Sequence, residues 1–308
     1  MKAAYIEKQG GPEVLKYGDV PDPVAGPGEV VVDVHAASVN AADWKVRSGV
    51  GYDPIKTFPH VLGRDFSGVV SAVGKGVGDL RVGDAVFGVC ETNREGAYAE
   101  KVAIKAAIVT KKPGGISHVD AAALALIGLT AIVSIEDTLK LRAGETILIQ
   151  GGAGGVAGFA IRLAKHIGAR VITTASRANH DYVRGLGADQ IIDYNAVDFT
   201  KVVSGCDAVF DTVGGDVEKR SFAVLKPGGR AAFIASGAKA PAPPSDDLRS
   251  FRPQVSRDRP HLERIVALLE AGAVRVPEIT LFPLSDAAAA HKMSQSRHLR
   301  GKLVFQVR

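Results

Sequence analysis

The chain has 308 residues, of which 46% are hydrophobic and 23% charged, so it is too long for one small core, suits two domains, and is too apolar to be largely disordered. Its net charge of +5 raises the question of nucleic acid, but Arg249, Arg252, Arg257, Arg259 and Arg264 are interleaved with Asp258 and Glu263 rather than gathered in a dense basic stripe, which argues against a nucleic-acid partner. Two cysteines, Cys90 and Cys206, make neither a disulfide framework nor a Cys-rich zinc site, and they fit a reducing, cytoplasmic setting.

In chain order, residues 1–7 lack the apolar core of a signal peptide and read as a first strand. Short strands broken by Gly and Pro follow at 29–37, 67–73, 84–88 and 97–103, a spacing that predicts a small, barrel-like β domain. After the first of these, the run from Asn40 to Lys45 reads as the opening of a short helix, with Asn40 and Asp43 placed to cap it. The longest apolar stretch, 121–135, is Ala-rich, contains Gly128, Thr130 and Ser134, and is too short for a bilayer, so no membrane partner is expected. From about Asp120 helices and strands alternate. Strands are predicted at 146–150, 170–174, 190–193, 207–211 and 231–235, which implies a doubly wound parallel sheet in an α/β protein. Residues 238–247 are Pro-rich and read as a loop, followed by a strand at 251–255. Pro260 opens a helix with Leu262, Ile265, Val266 and Leu269 on one face, and Gly272 ends it. A strand at 279–282, a helix opened by Ser285 and a closing strand at 302–307 complete the tail. The expected division is 1–119 for the β domain, 120–257 for an inserted nucleotide domain, and 258–308 for the return to the first.

The most informative stretch joins the 146–150 strand to a helix. Gly152-Ala153-Gly154-Gly155-Val156-Ala157 fits G-x-G-x-x-G/A, with Val156, Phe159, Ala160, Leu163 and Ile167 at helical spacing beyond it and Gly168 as the stop. The first glycine is expected to allow the bend, the second to let a pyrophosphate approach the backbone, and the small third residue to let helix pack on strand. The helix N-terminus then offers free N–H groups to the anion. Where an NAD site places Asp or Glu at the end of the second strand, this chain reads Thr173-Thr174-Ala175-Ser176-Arg177. A hydroxyl followed by a guanidinium suits a ribose 2′-phosphate, so NADPH is the expected cofactor.

With these features the chain resembles, from end to end, the zinc-independent quinone oxidoreductase branch of the medium-chain dehydrogenase/reductase superfamily. The marks are Ser38-Val39-Asn40 followed by Asp43, Arg47-Ser48-Gly49, the run from Gly63 to Val70, Gly128-Leu129-Thr130-Ala131, the glycine turn, Leu186-Gly187-Ala188-Asp189 and Gly301-Lys302. The resemblance implies a GroES-like β-barrel first domain, a Rossmann second domain, a cleft between them and homodimers joined through nucleotide-domain edges. Zinc enzymes of the superfamily place Cys where Asn40 stands and a His-Glu pair where Arg64-Asp65 stands; Asn and Arg do not replace such ligands, so no metal is expected. By the same resemblance Thr130, Gly154, Gly155 and Val156 line the nicotinamide and pyrophosphate sites. Ser176, Arg177 and Tyr194 surround the 2′-phosphate with Arg297 reaching the same group, and Val213 and Gly214 touch the cofactor.

Without a metal, side-chain donors must stabilise the oxyanion that develops on the acceptor. Asn40 offers an amide N–H and Lys45 an ammonium, and Tyr52 sits where the family places a cleft tyrosine; each has a plain alternative as a cap, a solvated charge and a pocket wall. Asp65 is expected to order its own turn, His35 and His60 to be structural, and Cys90 to lack a paired base. The expected reaction is two-electron reduction of a small quinone or α,β-unsaturated carbonyl by NADPH, with water supplying the proton. A zinc-dependent alcohol dehydrogenase and a non-catalytic NADPH-binding protein, like the crystallin and RNA-binding relatives, are the alternatives.

Overall fold

A computed structural model describes residues 1–50, 55–91 and 94–308. Its contacts divide the chain into two compact units, one of Met1–Leu126, Arg257–Ala267 and Val276–Arg308, the other of Ile127–Ser256 and Leu268–Arg275.

The first unit opens with β1 (Lys2–Ile6), β2 (Lys16–Asp19) and the long β3 (Glu29–Val39), then α1 (Ala41–Ser48), β4 (His60–Val61), β5 (Asp65–Val73), β6 (Ala85–Val89), β7 (Lys101–Lys105) and β8 (Val109–Lys111). The buried strands are rich in Val, Ile and Ala, and their inward side chains form one core around Val32, Phe66, Val86 and Phe305. The strand expected at 97–103 is displaced to Lys101–Lys105. Ala97 and Tyr98 donate instead to the carbonyls of Gly63 and Leu62, which makes that segment a braced loop.

The helix α2 (His118–Ile132) continues into a π-helical turn at Val133–Thr138. It is therefore longer than the apolar stretch suggested: 21 residues at a mean hydropathy of 1.9, long and apolar enough by composition to cross a membrane. Most of it is buried inside the protein, 78% of its apolar window, so protein packing is what receives its apolar surface.

The second unit then runs through β9 (Thr146–Gln150), α3 (Gly155–Ile167), β10 (Arg170–Ala175), α4 (His180–Gly185), β11 (Gln190–Asp193), β12 (Cys206–Asp211), α5 (Asp216–Arg220), β13 (Leu225–Phe233) and β14 (Arg249–Phe251). These strands pair in parallel in the order β11-β10-β9-β12-β13-β14, so the chain leaves the centre at β9 in one direction and resumes beside it at β12 in the other. That reversal is the switch point at which a doubly wound sheet opens a crevice beyond its carboxyl ends. The apolar character of β9 and β12 follows from a sheet covered on both faces. The strand expected at 251–255 stops at Phe251, since Pro253 has no N–H for a ladder. The strand expected at 231–235 begins earlier, because Leu225 already pairs with Cys206 across a register shift.

The tail supplies α6 (Arg259–Glu270), β15 (Ile279–Pro283), α7 (Ala287–Gln295) and β16 (Lys302–Gln306). Within the first unit β16 pairs antiparallel with β3, setting Leu303 opposite Val39. The sheet there reads β15-β16-β3-β5-β6-β8, with β7 also on β3.

Candidate functional site

In the second unit the chain bends at Gly151, whose φ of 78° is left-handed, and not at Gly152 as the motif alone suggested. Gly152 serves a different need: a Cβ on it would lie 2.4 Å from Thr173 Oγ1, so only glycine lets the turn rest against β10. The turn is braced on the same strand, with the Gly151 N–H donating to Thr174 Oγ1 at 3.1 Å and the Gly152 N–H to the Thr174 carbonyl at 2.9 Å. Ala153 and Ala157 are buried. Gly154 caps α3 in extended conformation, and a Cβ on it would meet only the Gly151 carbonyl at 3.5 Å. The N–H groups of Gly155, Val156 and Ala157 follow at the start of α3, where no intrahelical acceptor exists. An uncrowded glycine beside first-turn N–H groups fits the pyrophosphate of a dinucleotide.

Ser176 and Tyr194 follow the ends of β10 and β11, which are paired through Ala175 and Asp193. Ser176 Oγ accepts from Asn179 Nδ2 at 3.1 Å, and Arg177 is exposed with no ion pair among the described residues. Tyr194 is also exposed. No carboxylate stands at positions 173–177, so this corner presents a hydroxyl and a free guanidinium. Past β12, buried Asp211 accepts from the Val213 N–H at 2.6 Å and the Gly214 N–H at 3.0 Å through one carboxylate oxygen, shaping the loop that Val213 and Gly214 form. Burial pushes the Asp211 carboxyl up, against those two hydrogen bonds. Thr130 is nearly buried in α2, its carbonyl accepting from Ser134 Oγ at 2.6 Å. Arg297 belongs to the first unit, exposed and in left-handed conformation at φ 59°.

The first unit holds a buried polar network around Asn40. Asn40 Nδ2 donates to Asp65 Oδ1 at 2.7 Å and to the Ser38 carbonyl at 3.3 Å, while Asn40 Oδ1 accepts from Lys302 Nζ at 2.6 Å. Lys302 also donates to the Val39 carbonyl at 2.6 Å. Asp65 is fully buried in β5 and accepts from Ser38 Oγ at 2.7 Å and from the Leu126 N–H at 3.3 Å. It therefore does not order a turn of its own; it is the hub of the network. The capping expectation holds: Asn40 is the N-cap of α1 and forms a capping box with Asp43, whose carboxylate accepts the Asn40 N–H at 2.8 Å, while the Asn40 side chain also engages Asp65 and Lys302.

Asp43 also accepts from Tyr98 Oη at 2.7 Å and faces Arg64 at 3.8 Å, and Arg64 reaches Glu95 at 3.2 Å. Burial pushes the Asp43 carboxyl up to about 6, with Arg64 opposing. Burial likewise lowers the Lys302 ammonium, opposed by the charges of Asp65 and Asp43. Lys45 is half-buried in α1, its Nζ 5.8 Å from the centre of the Trp44 ring. Tyr52 lies outside the described residues.

This donor set does not fit zinc. Two cations, Lys302 and Arg64, sit among the carboxylates, and neither Asn40 nor Arg64 is a zinc ligand of the usual kind. Among the described residues no three His, Cys, Asp or Glu side chains are grouped to hold a metal. Burial pushes the Cys90 thiol up to about 12, far from a thiolate, and His60 is held below its ordinary pKa by burial. In the sequence Ser38 and Lys302 stand only as letters of the family motifs with no role assigned, and Asp65 is expected to order its own turn rather than to join this network.

Residues 26–114 match the alcohol dehydrogenase GroES-like domain family and residues 186–305 the zinc-binding dehydrogenase family. The chain is 34% identical to the chloroplastic NADPH-dependent alkenal/one oxidoreductase of Arabidopsis thaliana, over 99% of this chain and 79% of that protein. It also matches, at 30% identity over 98% of its length, a segment that is only 15% of a mycocerosic acid synthase-like polyketide synthase from Mycobacterium tuberculosis. Among solved structures, the quinone oxidoreductase of Coxiella burnetii superposes with a TM-score of 0.91 at 35% identity, covering 100% and 99% of the two chains. That of Escherichia coli, solved with NADPH, gives 0.90 at 27% identity with full coverage of both.

Proposed function

The chain belongs to the medium-chain dehydrogenase/reductase superfamily, in its quinone oxidoreductase branch, and from that premise we propose that it is an NADPH-dependent reductase of quinones or α,β-unsaturated carbonyls that works without zinc. The observation that carries this reading is the pairing of the open Gly154 turn with an acid-free Ser176-Arg177 corner at the end of β10.

NADPH, when bound, supplies the hydride for the conjugated acceptor. Gly152, Ala153, Gly154, Gly155 and Val156 hold its pyrophosphate against the N-terminus of α3, Thr130, Val213 and Gly214 contact it further along, and Ser176, Arg177 and Tyr194 receive the 2′-phosphate. On the acceptor side Asn40 steadies the oxygen as negative charge builds, with Lys45 and Tyr52 as further contacts. The cations Arg64 and Lys302 support this reading, since they put positive charge beside Asp43 and Asn40. The proposal extends to a homodimer joined through nucleotide-domain edges and to a cytoplasmic setting, with no nucleic-acid or membrane partner. Two buried thiols accord with a reducing compartment.

Stopped-flow loss of nicotinamide absorbance with a panel of quinones and small enones tests the reaction. Rapid oxidation of NADPH by at least one panel is the expected result, and stability of NADPH against every member of both overturns the reading.

A further inference from the structure

Asn40 is clamped at both ends of its amide, and the two clamps differ in sign. Its oxygen faces an ammonium, Lys302 Nζ at 2.6 Å, and its nitrogen faces a carboxylate, Asp65 Oδ1 at 2.7 Å. A reversed amide would set nitrogen against ammonium and oxygen against carboxylate, so charge alone fixes the orientation. Asp65 is in turn held by Ser38 Oγ, and Lys302 by the Val39 carbonyl. Both clamps are almost fully buried, Lys302 at 5% exposure and Asp65 at 0%, so water does not screen the alignment. The two halves are 262 residues apart in the chain and meet because β16 pairs with β3, putting Lys302 one residue before the partner of Val39. One Asn40 N–H is committed to Asp65; the other makes only the long, 3.3 Å bond to the Ser38 carbonyl. That weakly held N–H is the one available to a substrate oxygen, and its direction is set by the clamp.

We propose that Lys302 is a positioning residue for the reduction, aiming and polarising the Asn40 amide so that its second N–H meets the oxygen of the quinone or enone. The inference rests on the reading of Asn40 as the acceptor-side donor. An ammonium on the amide oxygen draws electron density away from the nitrogen and strengthens the N–H as a donor. The role needs no contact between Lys302 and substrate, consistent with its burial.

The test is a double-mutant cycle on the full-length protein with NADPH and a quinone that the wild type reduces. Lys302→Met should lower kcat by about 100-fold, the scale on which a misplaced catalytic group is felt, while NADPH affinity measured by fluorescence stays unchanged. Lys302→Gln, which keeps N–H donors but no charge, should recover part of the loss. In an Asn40→Ala background Lys302→Met should add nothing further. Equal factors in the two backgrounds, or wild-type kcat in Lys302→Met, overturn the proposal; should the Met variant not fold, the Gln variant carries the same comparison. The Asn40 side-chain NH2 pair in a 1H–15N spectrum reads the clamp without turnover: it should shift on loss of Lys302, and an unmoved pair overturns the proposal. A wild type that reduces no acceptor strikes only the functional reading, and the spectrum then decides the positioning.

Discussion

In the proposed reading, Arg177 is the residue on which cofactor choice turns. Exposed and without an ion pair among the described residues, its guanidinium contributes little to the fold and is available to a dianion. Arg177→Ala is therefore expected to raise the NADPH dissociation constant by about tenfold, the scale of one charge-assisted hydrogen bond, with little effect on NADH. Fluorescence titration of both cofactors checks this, and equal losses remove Arg177 from the phosphate corner. Asn40 teaches a second lesson at this scale. Its residue type suited a cap and it does cap α1 together with Asp43, yet its side chain also bonds Asp65 and Lys302, which a local reading does not report.

At the scale of elements, the glycine turn separates two functions that the motif merges. Gly152→Ala forces a Cβ to within 2.4 Å of Thr173 Oγ1 and should cost about 1–3 kcal/mol of folding stability in urea unfolding. Gly154→Ala meets no closer neighbour than 3.5 Å and suits the extended backbone there, so it should leave stability intact and weaken NADPH binding. A Gly154→Ala variant that binds NADPH normally would contradict the assignment of that face to the pyrophosphate. The turn and its strands were legible in sequence because every determinant is local: a β-branched run, a glycine cluster and a 3.6-residue apolar period within some twenty residues. The Asn40 network was not, since Ser38, Asp65 and Lys302 come from three strands and meet only through the registers of β3 with β5 and β16. The strand expected at 97–103 failed for a related reason, because Ala97 and Tyr98 pair with the distant Gly63 and Leu62, whereas the strand expected at 251–255 overlooked Pro253, a breaker the sequence did carry.

At the scale of the molecule, stability depends on a buried cation that makes no ion pair among the described residues and meets only the more distant charge of Glu13. Arg47, fully buried in α1, donates to the Gly10 carbonyl and to Gln295 Oε1 and lies 3.2 Å from His291 Nδ1, tying α1 to α7. Burial, together with the Arg47 charge, depresses His291 to about 3. A histidine depressed in the folded state stabilises fully above its unfolded pKa near 6.5 and loses that contribution as pH falls towards the folded value. Urea unfolding should thus lose up to about 1.4 kcal/mol per pH unit from this group below 6.5, and His291→Asn should flatten that part of the profile. A variant with the wild-type slope would show that another group sets the acid limit.

The central claim is that a metal-free centre reduces a conjugated acceptor with NADPH. Zinc content and NADPH oxidation measured on one purified sample, before and after chelator, test it most directly. The account predicts turnover with a quinone or enone at far less than one zinc per chain and no change on chelation; stoichiometric zinc, with activity that the chelator removes and zinc restores, would contradict it.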